Sequence, residues 1–358
     1  MNAMDTSNKK IWQQAGGDTD RDYSDLCFKW DVILNGPGHR GPWPTCESAL
    51  REDKRSPRKL TDLKRFAVDM ADGDLVILRL GTSKVLGVGQ VVGPYQWCDE
   101  FGDIDGWDLQ HVRRVRWLWS APSSPKVFDT YALKQGDTTQ QLSDESPVRK
   151  WIGALNIPRK ALARVLTELP ETNQAEIEVT EISEFLFDNG VASVAITNLV
   201  NEIGELTRIA KWYQRSGMLP SEHETVAYLV VPLLRALGWT PQRMAVEWNN
   251  VDVALFERLP RSDETLRVVV EAKKMGRSYL TAKPQAMSYA AGKGECHRLI
   301  VTDGLRYGVY VCSADGTFRP YAYLNLTRFR RAYPAIECKG AEEALLAMAP
   351  EWKPIEET

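Results

Sequence analysis

Residues 251–256 read VDVALF, and residues 268–273 read VVVEAK. Both are short, apolar and rich in β-branched residues, the composition of strands packed inside a sheet. Side chains alternate between faces along a strand, so Glu271 and Lys273 point one way and Ala272 the other. Asp252 lies 19 residues before Glu271. With the two strands as neighbours, Asp252 and Glu271 converge with the Ala272 carbonyl into an oxygen set suited to Mg2+ or Mn2+. The Lys273 ammonium then sits where it orients or deprotonates a water and offsets phosphate charge. Hard cation, water and phosphate together point to phosphodiester hydrolysis. The competing reading is plain: an acid and a base at the end of a strand are often only solvated.

Upstream, Pro220-Ser221 signals a helix start, with Ser221 as N-cap, Glu222 and Glu224 in the first turn, an apolar run to Leu237 and a stop at Gly238. Pro232 inside that run predicts a kink or break. Downstream, β-prone segments near residues 244–256, 266–273, 299–302 and 308–312 surround a helix near 280–291, an α/β layout, and a short helix over 340–348 ends the pattern. Between residues 148 and 213 apolar positions recur at helical spacing, as in Ile196, Leu199, Val200, Ile203, Leu206 and Ile209. This predicts helices that bridge two domains or pair with another subunit. Residues 120–147 are polar and aperiodic, while residues 10–120 combine Gly, Pro and Trp with short β-prone runs that predict a small β-barrel. The expected chain is α+β and multidomain: an N-terminal barrel over 1–125, a linker and helical connector over 126–218, and an α/β domain with a mixed sheet over 219–358.

Four pieces of the second half, taken in order, resemble the PD-(D/E)xK nuclease fold, and in particular the N-terminal nuclease domain of type I restriction enzyme R subunits. They are SEHETVAYLVVPLLRALGW, VDVALF, VVVEAKK, and QAMSYA followed by LIVTDGLRYGVYV, in a run from about Ser221 to Tyr310 that makes up about a quarter of the chain. The resemblance implies Asp252, Glu271 and Lys273 as the catalytic core and Glu224 as an accessory acid. Gln285 and Tyr289, one helical turn apart, match the QxxxY element that in such nucleases lies beside the active site and touches DNA. Val251 replaces the proline of the name-giving motif, and without the helicase motor of type I enzymes in this sequence, translocation-coupled cleavage is not expected. Glu224 also has a simpler reading, as an acid favoured by the helix dipole. Asp303, in Thr302-Asp303-Gly304, reads as a turn residue.

Aromatic residues are dense in the first half, and aromatic walls can hold a flipped base by stacking, although a small barrel also needs rings for its core. The segment GDLVILRLGTSKVLGVGQVVGPYQW resembles the EVE and wider PUA-like family, which includes YTH and SRA-type readers of modified bases. That resemblance implies a pocket for a modified nucleobase. The run Asp103 to His111, with Trp107 and Asp108, is the expected rim, and Trp12, Tyr23, Trp30 and Trp97 are candidate walls. Basic residues at Arg51, Lys54, Arg55, Arg58, Lys59, Lys64 and Arg65, and at Arg113, Arg114 and Arg116, are candidate phosphate contacts or solvated faces.

Composition narrows the rest. With 45 Lys and Arg against 48 Asp and Glu, the net charge of −3 excludes coating of nucleic acid or membrane by bulk positive charge, so any DNA contact is a local patch. The 6 cysteines form no CxxC and the 4 histidines no HExxH, so a metal must rest on carboxylates. The absence of a GxxxxGK[ST] run leads us to expect no nucleotide cofactor. No run approaches the roughly 18 to 20 apolar residues of a membrane helix, and the polar start MNAMDTSNKK is unlike a signal peptide, so a cytoplasmic protein is expected. Base reader and nuclease together predict a modification-dependent DNA endonuclease of type IV restriction character, defending against foreign DNA. It would act with Mg2+ on double-stranded DNA as a homodimer, since one active site cuts one strand. Two other readings stand beside it: a catalytically silent nucleic-acid-binding module of a defence complex, and an RNA-directed nuclease.

Overall fold

The computed structural model describes residues 2–3, 9–18, 21–53, 57–171, 176–293 and 296–353. They fall into two units, Met1–Thr172 and Asn173–Thr358.

The first unit is built on β1 (Ile11–Ala15), β2 (Val32–Asn35), β3 (Leu75–Leu80), β4 (Lys84–Trp97), β5 (His111–Ser120) and β6 (Thr139–Gln141). These lie in the order β2-β5-β4-β3-β1-β6, with Lys126–Val127 paired onto β4. The sheet curls into a half-barrel. Within that path only β1 and β3 run parallel. Register shifts between Val88 and Gly89 and between Val92 and Tyr95 interrupt the 14-residue β4; such bulges add local twist and bend the strand. At the first shift β4 and β5 approach so closely that a Cβ on Gly89 would lie 2.3 Å from Val115 Cγ1.

Because β6 closes onto β1, this unit does not end at residue 125. Leu133, Leu142, Val148 and Ile152 pack with Ile11, Leu75 and Ile77 in one core. The expected linker and connector over 126–218 is therefore divided, its first part belonging to the first unit and the remainder to the second.

In the second unit α2 (Val179–Asp188) and α3 (Ser193–Ser216) follow the first unit's α1 (Pro57–Lys64) in our numbering. Their apolar stripe is not left for a bridge or another subunit: Ile182, Leu186, Ile196, Leu199, Ile203 and Leu206 are buried in the core of their own unit. Of the residues that suggested such a contact, Val200 is exposed and Ile209 partly buried. The next helix, α4, covers residues 222–236. Pro232 does not break it. The helix widens into a π turn at Val226–Val230, and the α-helical turn resumes at Val231 with Pro232 in its opening positions, where a missing N–H costs least.

The sheet of the second unit runs β7 (Met244–Trp248), β8 (Val251–Phe256), β9 (Leu266–Ala272), β10 (Arg298–Thr302), β11 (Arg306–Cys312) and β12 (Phe318–Asn325), with Cys338–Lys339 and Ala332–Tyr333 beyond β12. Asn249 and Asn250, at φ 49° and 70°, split the expected strand 244–256 into a tight hairpin. β9 and β10 are parallel, joined across α5 (Lys283–Ala290), and the sheet is mixed. Residues of α2, α3, α4 and of α6 (Ala341–Met348) share a core with Val253, Leu255, Val268, Val270 and Ala272 on one face. Residues of α5 share another with Ala254, Phe256 and Val269 on the opposite face. α4 approaches the 302–304 turn so tightly that a Cβ on Gly304, at φ +84°, would come within 2.8 Å of Thr225 and Leu229 side-chain atoms. The buried Thr225 hydroxyl also accepts the Met275 N–H at 3.3 Å, anchoring the first turn of α4 to the segment that follows β9. Among the described residues, no helix is long and apolar enough to cross a membrane.

Candidate functional site

Continuing the β8–β9 register one step beyond Val253↔Val270 sets Asp252 opposite Glu271. Asp252 Oδ2 accepts the Ala272 N–H at 2.7 Å, which fixes the carboxylate across the strand pair. Ala272 thus contributes its amide here, while its side chain lies in the core of the other face. Glu271 is fully buried, and among the described residues neither of its carboxylate oxygens has a hydrogen-bond partner. Burial, and then the neighbouring charge of Asp252, push its carboxyl up to about 8.

Lys273 follows on the same face. Its Nζ lies 3.5 Å from Gln285 Oε1 and 3.6 Å from Glu222 Oε1. Gln285 Nε2 donates to the Tyr289 hydroxyl at 3.2 Å, so α5 brings both residues to the edge of the strand-end group. Glu224 does not join them. It closes the capping box of α4, accepting from the Ser221 N–H at 2.7 Å and hydroxyl at 2.8 Å, and these bonds lower its pKa. The acid at this helix start that reaches Lys273 is Glu222. The sequence carries a signal for it: in Ser-x-x-Glu the third-position acid is drawn back to the cap, leaving the first-position acid free.

Among the described residues no group of three His, Cys, Asp or Glu side chains is placed to hold a metal. What is present is a pair of carboxylates, one with both oxygens buried and orphaned. That donor set fits a small divalent cation, which compensates a desolvated acid and keeps several waters in its own shell. The same burial predicts a pH effect without metal. Folded Glu271 keeps its proton to about 8, whereas the unfolded chain releases it near 4.5. The folded state therefore binds more protons between those limits, and stability falls as pH rises through them. Glu271→Gln is expected to flatten this fall, measured by denaturant unfolding of metal-free protein at about pH 5 and about pH 8. Equal pH slopes in the two proteins would remove the buried-acid assignment.

In the first unit the expected rim is more deeply packed than a solvated loop. Asp103, Ile104, Asp105, Leu109, Gln110 and His111 are buried, and the turn is tight, with Asp103, Asp105 and Gly106 all at positive φ. Trp107 stays half-buried. Arg21 lies over its ring at 5.1 Å and Tyr23 meets it edge-on at 6.0 Å. Tyr23 and Trp107 line two recesses, of 390 and 530 Å3. The smaller also has Asn35, His39, Lys59 and Asp108 in its wall. A network of hydrogen bonds holds Asn35 and Lys59: Asp62 on α1 accepts Lys59 Nζ at 2.8 Å and the Thr139 N–H at 2.6 Å, and Asn35 Oδ1 accepts Lys59 Nζ at 2.9 Å. Asn35 and Lys59 were not expected in this pocket.

The other aromatic candidates lie elsewhere. Trp12 is 2% exposed and donates its indole N–H to Asp74 at 2.8 Å, a core role. Trp97 donates to Asp99 at 2.7 Å and packs against His111, and Trp30 lies beneath Lys29. The basic runs are also largely structural. Buried Arg113 donates to the carbonyls of Phe66, Ala67, Met70 and Gly93, Arg114 to that of Thr167 and Arg116 to that of Arg164. Arg51 pairs with Glu47 and Arg65 with Asp137, while Arg58 and Lys64 are exposed. Lys54 and Arg55 lie outside the described residues.

No curated protein matches the chain. Residues 12–141, which span β1 to β6 of the half-barrel and both Trp107 recesses, match a domain of unknown function, DUF8426.

Proposed function

We propose that the protein is a modification-dependent DNA endonuclease, its first unit a PUA-like reader of a modified base and its second a PD-(D/E)xK nuclease. The observation that carries the reading is the placement of Asp252, Glu271 and Lys273 on one sheet face beside Gln285 and Tyr289. In this reading Asp252 and Glu271 would hold Mg2+ or Mn2+, which when bound would supply Lewis acidity. Lys273, steadied by Glu222 and Gln285, holds the attacking water and offsets phosphate charge. Gln285 and Tyr289 position the strand. The smaller Trp107 recess supports base reading because its lining combines aromatic rings with Asn35 and Lys59, polar groups held in place by hydrogen bonds, the two elements that hold an extruded base. A double-strand break by this arrangement takes two copies on the duplex.

The test is Mg2+-dependent cleavage of four otherwise identical duplexes, unmodified or carrying methylcytosine, hydroxymethylcytosine or N6-methyladenine. We expect cutting of one modified duplex. Selective binding without cutting would leave a reader and remove the nuclease, and cutting of matched RNA alone would move the target to RNA.

A further inference from the structure

A third recess in the first unit, of 530 Å3, is lined by Lys10, Arg65, Lys134, Gln140 and Gln141 over the buried Trp12. Three cations face it against a single lining carboxylate, Asp69. Arg65 is already committed, to Asp137 at 2.9 Å. Neither lysine pairs with a carboxylate among the described residues. Lys10 reaches the Asp69 backbone carbonyl at 3.4 Å and lies over the Trp12 ring at 5.9 Å, and among the described residues the Lys134 ammonium has no partner. Both lysines and Gln141 are exposed, so the recess is open and polar, unsuited to engulfing an apolar molecule.

Its place in the fold gives it a purpose. Lys134, Gln140 and Gln141 line it from a short segment whose middle, Gln135 to Thr138, lines the larger Trp107 recess and, through Thr138, the smaller one that would take the base. One strap therefore carries Lys134 into the cationic recess and borders the aromatic recesses with its middle. We propose that this recess is a phosphodiester-binding site, in which Lys10 and Lys134 seat the backbone of the DNA strand whose base enters the Trp107 pocket. This rests on the nucleic-acid reading above. Such contacts set register and add affinity without reading sequence.

The experiment is duplex binding by the full chain across a salt series, with modified and unmodified DNA, comparing wild type with the Lys10→Gln/Lys134→Gln double variant. Two lost phosphate contacts should lower the slope of log affinity against log salt by about 1.8, so that the loss of affinity between about 50 and 200 mM salt shrinks roughly tenfold. Modified and unmodified DNA should weaken by the same factor. The Lys10→Arg/Lys134→Arg variant should restore the slope, and thermal unfolding checks that each variant is folded. An unchanged slope in the folded double Gln variant overturns the site, as does a wild type that binds no duplex. A mononucleotide that binds wild type but not the Gln variant, with the duplex slope unchanged, would assign the recess to a free phosphate ester and also overturn it. A wild type that binds both duplexes equally removes the base reader alone, because the salt slope is read independently of that preference.

Discussion

Lys273→Ala is expected to lower the cleavage rate by about 10²- to 10⁴-fold, the range for losing a positioned proton-transfer or charge-stabilising group, while leaving affinity for modified DNA nearly unchanged. The lysine lies at the end of β9 with its ammonium between Glu222 and Gln285, and nothing in the core depends on it. The variant should therefore keep the unfolding midpoint of the wild type. Single-turnover cleavage together with a binding isotherm on the same duplex separates the two effects. A variant that cuts at the wild-type rate would remove the assignment of Lys273, and one that loses binding equally would recast it as a DNA contact. Glu222→Ala serves as the companion. If Glu222 acts by steadying Lys273, its loss should lower the rate less than loss of the lysine and shift the rate-pH profile, whereas Glu224→Ala should act only through the helix cap.

The strand-end group was legible in the sequence because it depends on local rules. Alternation along β9 puts Glu271 and Lys273 on one face whatever surrounds them. The spacing of Gln285 and Tyr289 needed only an α-helix. Partners distant in sequence were not legible. Trp12 looked like a pocket wall until Asp74, 62 residues away, took its indole N–H. Arg113, Arg114 and Arg116 looked like phosphate contacts, but their guanidinium groups serve carbonyls 20 to 53 positions away. Amphipathic spacing in α3 showed that one face must be covered without saying by what, and the cover is the sheet and helices of its own unit. The same limit hid Lys59, which reads as one member of a basic run until buried Asp62 and Asn35 fix its ammonium in the wall of the Trp107 recess.

Replacing Trp107 by alanine should erase the preference for modified over unmodified DNA by about 5- to 150-fold, the equivalent of the roughly 1–3 kcal/mol that one base gains from an aromatic platform. Arg21 lies over the Trp107 ring and Tyr23 meets it edge-on, so the indole is already held in place before any base arrives. A pre-ordered wall loses little side-chain entropy on binding, which is why its removal should appear in affinity more than in stability. Trp107→Phe keeps a flat ring and should retain most of the preference. Lys59→Met probes the polar lining of the same recess: if the ammonium held by Asp62 and Asn35 reads the edge of the base, its loss should change which modification is preferred. The measurement is competition binding between matched duplexes, with thermal unfolding of each variant. Undiminished preference in a folded Trp107→Ala protein would place the base somewhere other than this recess, whatever the nuclease site does.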